Sequence, residues 1–110
     1  MPLPPASFEI LVALAGGERH GYAIMQEVAE RTGGAVRLGP GTLYGSLKRL
    51  LADELVVEAS GPAKADSGDE RRRYYRLTSL GLAVARAEAR RMEAMVRAAR
   101  RKRLLSGNPA

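Results

Sequence analysis

Two segments of this 110-residue chain carry residue types and spacings that could do chemistry. The first is GPGTLYGSLKRLLADEL, from Gly39 to Leu55. Read as a helix, it turns Gly41, Thr42, Gly45, Ser46, Lys48 and Arg49 away from its leucines. Small residues permit close approach. Hydroxyls can bond phosphate or base edges, and the two cations can neutralise phosphate. The second segment is RRRYYRLTSLG, from Arg71 to Gly81. It reads as a basic, aromatic strand that ends where another helix begins. A groove-reading helix followed by a basic hairpin is the layout of a winged helix-turn-helix, which makes double-stranded DNA the favoured partner.

Each segment also has a plainer reading. The helix face could simply be solvated. The basic strand could protect a sheet edge, since charge there blocks pairing with another sheet, although three consecutive arginines exceed what that needs. Strand alternation sends Tyr75 and Leu77 to one side, toward the core, and Tyr74 and Arg76 to the other. Arg71, Arg72 and Arg73 fall near the hairpin tip, within reach of a backbone or a minor groove. Tyr44 has two readings: its ring pads a junction between helices, or its hydroxyl meets a phosphate.

The elements that must position these residues follow from local pattern. Pro2, Pro4 and Pro5 form an irregular lead. Ser7 reads as an N-cap for a short helix containing Phe8, Ile10, Leu11, Val12 and Leu14, stopped by Gly16 and Gly17. His20 and Gly21 open a second helix, with Ile24, Met25 and Val28 on one face, closed by Gly33 and Gly34. Val36 and Leu38 suggest a brief extended segment. Pro40 suits the first position of a third helix, and Leu43, Leu47, Leu50 and Leu51 give it one apolar face. Leu55 to Ala59 reads as a strand, Gly61 to Gly68 as a long loop, and Arg71 to Leu77 as the return strand. From Thr78 or Ser79 to about Leu105 one long helix is expected. Along it Leu82, Ala85, Ala89, Met92, Val96 and Ala99 recur at spacings of three and four, a coiled-coil-like seam that a protruding helix cannot bury alone.

Composition narrows the classes. The length suits one small domain, and domains of this size often gain stability by dimerising. Cysteine is absent, which excludes disulfides and thiolate metal sites. No apolar run approaches a membrane span, and no basic-then-apolar secretion signal opens the chain. A cytoplasmic location is expected. Net charge is +6, and its distribution is uneven. Residues 1–70 hold 6 basic and 10 acidic side chains, whereas residues 71–110 hold 12 basic and 2 acidic. That asymmetry fits a polyanion partner or a solvated basic helix.

An enzyme is not expected, and neither is a cofactor or a metal. The lone His20 stands where it would cap or pack. Asp66, Asp69 and Glu70 lie in a loop that cannot preorganise them, and GPGTLYG lacks the spacing of a phosphate loop. Two other functions compete with DNA binding. The basic last helix could lie on a membrane surface, although its small-residue stripe suits helix pairing better. The same fold could also serve as a protein-binding adaptor.

HGYAI, GTLYGSLKRL and RRRYYRLT followed by Ser79, Leu80 and Gly81 resemble the PadR family of bacterial transcriptional regulators over about residues 8–82. The length resembles the family's short branch, with a single C-terminal dimerisation helix. The resemblance implies a fold that is mainly α with a small β-hairpin: a winged helix-turn-helix over 1–78, a dimerisation helix over 79–105, and a tail over 106–110. It implies a homodimeric repressor on an inverted-repeat operator, with helix three in the major groove. It places Tyr44, Lys48 and the Arg71–Tyr74 wing on DNA, and the seam from Leu82 to Ala99 at the dimer interface. Two positions depart from the family pattern. Gly45 stands where proline is frequent. Glu54 stands where glycine usually follows helix three, so a different helix end is expected here. Family members often respond to small aromatic or cationic compounds. This chain offers no tryptophan and one phenylalanine, Phe8, so an effector pocket would be lined by Leu, Ala, Met and Val from the first and last helices.

Overall fold

The computed structural model describes residues 3–60 and 73–105. The element order is α1 (Pro5–Ala15), β1 (Arg19–His20), α2 (Gly21–Arg31), α3 (Pro40–Ala52), β2 (Val56–Ala59), β3 (Tyr74–Leu77) and α4 (Ser79–Arg101). The chain is thus mainly helical with one small antiparallel sheet, in the order β1-β3-β2.

Helix α1 begins two residues before Ser7. Pro5 occupies a first-turn position, where its missing N–H costs nothing, and Pro4 is the cap. Ser7 is therefore buried inside the first turn and is not the N-cap. Ile10, Leu11, Ala13 and Leu14 point into the core, where they meet Ile24 and Val28 of α2 and Leu43, Leu47 and Leu50 of α3. That leucine face anchors α3 and fixes which of its sides is left outside.

His20 caps α2. Its Nδ1 accepts a hydrogen bond from the Ala23 N–H at 3.1 Å, one of the donors a helix start leaves without an intrahelical partner. The expected extended segment at Val36 and Leu38 is not a strand. The third strand is instead Arg19–His20, two residues that pair with Tyr75 and Tyr74 of β3. So short a strand shows no periodicity of its own, and the neighbouring β3 determines it. Strand β2 pairs β3 from Val56↔Leu77 to Ala59↔Tyr74. The expected loop over 61–68, Arg71, Arg72 and the tail over 106–110 lie outside the described residues.

Helix α3 ends in a Schellman arrangement. The Leu55 N–H donates to the Leu50 carbonyl at 3.0 Å and the Glu54 N–H to the Leu51 carbonyl at 3.1 Å. Glu54 takes φ 63° to make this turn. The different helix end expected from a non-glycine residue is therefore not found. Glu54 adopts the left-handed conformation that glycine adopts without strain, at a cost of about 1 kcal/mol. Gly33 closes α2 and Arg103 closes α4 with the same paired bonds. Helix α4 stops at Arg101, short of the expected Leu105.

The first turns of α4 are part of the body. Thr78 caps the helix, its hydroxyl accepting from the Gly81 N–H at 2.9 Å. Gly81, Ala85 and Glu88 are buried, and Ala85 belongs to the core. Glu88 is buried at 7% exposure. Its carboxylate accepts from Arg91 at 2.7 and 3.1 Å. That hydrogen bond, helped by the Arg91 charge and the Leu3 backbone, holds the carboxyl below its ordinary value against the opposing effect of burial. Beyond Glu88 no residue of α4 is buried. The molecule is elongated, 52 × 27 × 25 Å.

Candidate nucleic-acid interface

The leucine face of α3 turns the opposite face to solvent. Gly41, Thr42, Tyr44, Gly45, Lys48 and Arg49 are all exposed there, and Ser46 is half-buried at its margin. The face borders a shallow depression of about 280 Å³, bounded by Pro4 and Ser7 on one side and by Gly41, Thr42, Gly45, Ser46 and Arg49 on the other. The structure thus brings together the residues singled out on the third helix.

The two glycines stand out physically. A Cβ added at Gly41 or at Gly45 would meet nothing within 4 Å. Neither has a positive φ. Glycine inside a helix costs about 0.5–1 kcal/mol relative to alanine, and here neither packing nor backbone geometry requires it.

Lys48 and Arg49 have no ion-pair partner among the described residues. The cations of the opposite flank differ. Arg19 pairs with Glu27 at 3.0 Å. Arg31 pairs with Glu9 and, at 3.7 Å, with Glu27. Arg19 also donates to the Ala13 carbonyl at 3.0 Å.

Tyr44 is 48% exposed. Its ring end rests over Gly21, where a side-chain Cβ would collide with the phenol. The ring therefore pads the α2–α3 junction and still presents an outer surface. Tyr75 is buried as expected, and that burial, with Glu58 and Tyr44 nearby, raises its phenol above the ordinary value. Tyr74 departs from the expected alternation. It is only 7% exposed, its ring edge-on to His20 at 5.3 Å between centroids. The His20 side chain, carried on the unforeseen strand β1 beside β3, packs on the face that alternation had assigned to solvent. Of the wing arginines, Arg73 is described. It is exposed at the base of β3, 3.8 Å from Glu58 across the sheet.

The seam of α4 divides. Leu82 is half-buried and Ala85 is buried in its own chain's core, so Ala85 is not open to a second copy. Ala89, Met92 and Val96 are exposed and Ala99 is half-buried. Met95, absent from the expected seam, is 65% exposed beside Val96. Its helical position next to Met92 and Val96 was the signal that could have found it. Among the described residues no helix is long and apolar enough to cross a membrane, and no group of three His, Asp or Glu side chains could hold a metal ion.

The sequence profile of the transcriptional regulator PadR-like family matches residues 10–87. An uncharacterized protein of Lysinibacillus sphaericus is 40% identical over 74 residues, which is 67% of this chain and 65% of that protein's length. The transcriptional regulator Rv3488 of Mycobacterium tuberculosis is 35% identical over 88 residues, 80% of this chain and 76% of that one. Among solved structures, a PadR family transcription regulator from Clostridium difficile superposes with a TM-score of 0.75 at 26% identity, covering 89% of this chain and 97% of that one. The Bacillus subtilis PadR in complex with operator DNA superposes with a TM-score of 0.61 at 22% identity, covering 74% of this chain and 44% of that one.

Proposed function

This chain belongs to the PadR-like family of transcriptional regulators, and from that premise we propose that it is a homodimeric repressor that occupies an inverted-repeat operator. Helix α3 enters the major groove, with Thr42, Ser46 and Arg49 choosing sequence and Lys48 and the Tyr44 edge meeting phosphate. Arg73, with Arg71 and Arg72, holds the DNA backbone. Tyr74 supports the wing from inside by packing on His20. Residues 1–78 form the DNA-binding unit and 79–105 the dimer helix. The exposed Met92, Met95 and Val96, with half-buried Ala99, face the second copy, and a small-molecule effector that releases DNA would sit among these apolar side chains.

The observation that carries this reading is the outward face of α3. It combines two cations and two glycines for which the described residues supply neither an ion-pair partner nor a packing reason. A helix face shaped that way admits a close neighbour rich in negative charge. The Bacillus subtilis relative, solved on operator DNA, supports the choice of duplex DNA as that neighbour.

The test is binding to duplex DNA across a salt series, beside mixed-sequence RNA and anionic vesicles. Duplex affinity should fall steeply with salt, because each neutralised phosphate releases a counterion, roughly 0.9 in the logarithmic slope per contact. Tighter binding to vesicles than to duplex would overturn the reading in favour of a membrane-surface role. Fragments selected from the source genome would then supply the operator.

A further inference from the structure

We infer that Thr78 is a positioning residue that couples the dimer helix to the DNA-reading helix, and so sets which half-site spacing the dimer accepts. This rests on the DNA-binding, dimeric reading above.

The geometry is a latch between the end of α3 and the start of α4. The Thr78 hydroxyl donates to the Glu54 carbonyl at 2.7 Å and accepts from the Gly81 N–H at 2.9 Å. Its own N–H donates to the Leu55 carbonyl at 3.1 Å. Glu54 and Leu55 are the two residues of the turn that closes α3. Gly81 lies so close to the Leu55 carbonyl that any Cβ there would collide with it. One hydroxyl therefore bonds the turn that closes α3 and the first turn of α4 at once, and a glycine lets that turn and α4 touch.

Capping alone does not require this. An N-cap needs an acceptor for the helix N–H groups. The bond to Glu54 uses the hydroxyl's single proton as a donor, and its direction is across the joint. It also falls where Glu54 holds a left-handed φ of 63°, a conformation that needs support from its surroundings.

The consequence is one of leverage. Helix α4 has 23 residues, about 34 Å at 1.5 Å per residue. A rocking of about 5° at the joint moves the far end by about 3 Å, close to the 3.4 Å step of one base pair. In a dimer joined along distal α4, looseness at the latch becomes uncertainty in the distance between the two α3 helices.

Three variants of the full chain separate the roles. Thr78→Ser keeps donor and acceptor. Thr78→Val loses both. Thr78→Asp keeps an acceptor for the cap and gains a favourable charge at a helix start, but a carboxylate donates nothing to Glu54. The probe is a duplex that the wild-type protein selects from a random pool, together with copies whose halves are moved one base pair closer or farther. Wild type and Thr78→Ser should prefer the selected spacing by about tenfold or more, the scale of one lost base contact. For Thr78→Val and Thr78→Asp the preference should shrink below about threefold while a lone half-site binds within about twofold of wild type, because the reading face itself is untouched. Thr78→Asp should also melt near wild type, which excludes simple unfolding. If Thr78→Asp keeps the full spacing preference, Thr78 is only a cap and the coupling role is overturned, with the DNA reading intact. If wild type binds no duplex, or binds every spacing alike, the functional reading fails and the coupling role fails with it.

Discussion

On the α1–α2 flank, Arg19 and Arg31 each meet carboxylates of their own chain. On the outward face of α3, Lys48 and Arg49 meet none among the described residues. Helix α4 repeats the contrast along its length. Gly81, Ala85 and Glu88 are buried against the body, while Met92, Met95 and Val96 stand in solvent. Within the body many residues find a partner inside the chain: Leu43 fills the core, Thr78 caps α4 and Arg31 closes an ion pair. For Gly41, Gly45, Lys48 and Arg49 on the α3 face the described residues supply no such partner. Two glycines weaken a helix without relieving a clash, and apolar side chains lie unburied. Such choices make physical sense when the missing neighbour is another molecule.

The comparison breaks if substitutions in the two regions have the same consequences. The largest effect should come from Gly81→Ala. Its methyl would overlap the Leu55 carbonyl, and overpacking against backbone costs about 3 kcal/mol. Thermal melting should show a large drop and dimer and DNA binding should be lost together. Next comes Val96→Asp on distal α4. An unpaired charge in an apolar interface should weaken association by about 2 kcal/mol or more, roughly thirtyfold. Sedimentation should show monomers whose secondary structure is intact.

Gly45→Ala sharpens the contrast, because its two effects have opposite signs. The site is open, so alanine should stabilise the fold by about 0.5–1 kcal/mol through helix propensity. The same methyl should weaken duplex binding by obstructing close approach. Denaturant melts and binding titrations on one preparation check both.

The smallest effect concerns the buried half of α4. Arg91 holds the Glu88 carboxyl below its ordinary value. A lowered folded-state value means stability that is present above the unfolded value and lost as pH falls through the folded one. The melting temperature should therefore decline as pH drops from about 5 toward about 3, and Glu88→Gln should flatten part of that decline. The Gln variant should leave Val96-dependent association at neutral pH unchanged.

Much of this architecture could be read from residue spacing. Leu43, Leu47 and Leu50 set the buried face of α3, and with it the outward residues. Pro40 marked its start. The aromatic and basic run ending at Leu77 marked β3, and the three-and-four repeat marked α4. Most of what escaped depends on contacts distant in sequence. Arg19–His20 is too short for any periodicity, and it is a strand only because β3 lies beside it. Tyr74 became buried for the same reason. Glu54 takes a left-handed turn whose carbonyl Thr78 bonds from across the fold. Ser7 has the character of a cap, but Pro4 and Pro5 start the helix earlier. Ala85 matched the seam by spacing, although the body reaches far enough along α4 to claim it.

In the proposed dimer two copies present their α3 faces to one duplex. The most direct measurement compares affinity for a selected duplex carrying an inverted repeat with affinity for the same half-sites arranged as a direct repeat. Two-fold symmetry should place the reading helices about one turn apart, about 34–36 Å, on the inverted repeat only. The inverted repeat should then bind at least about tenfold more tightly, by the contacts a second half-site adds. Equal affinity for the two arrangements would contradict the account.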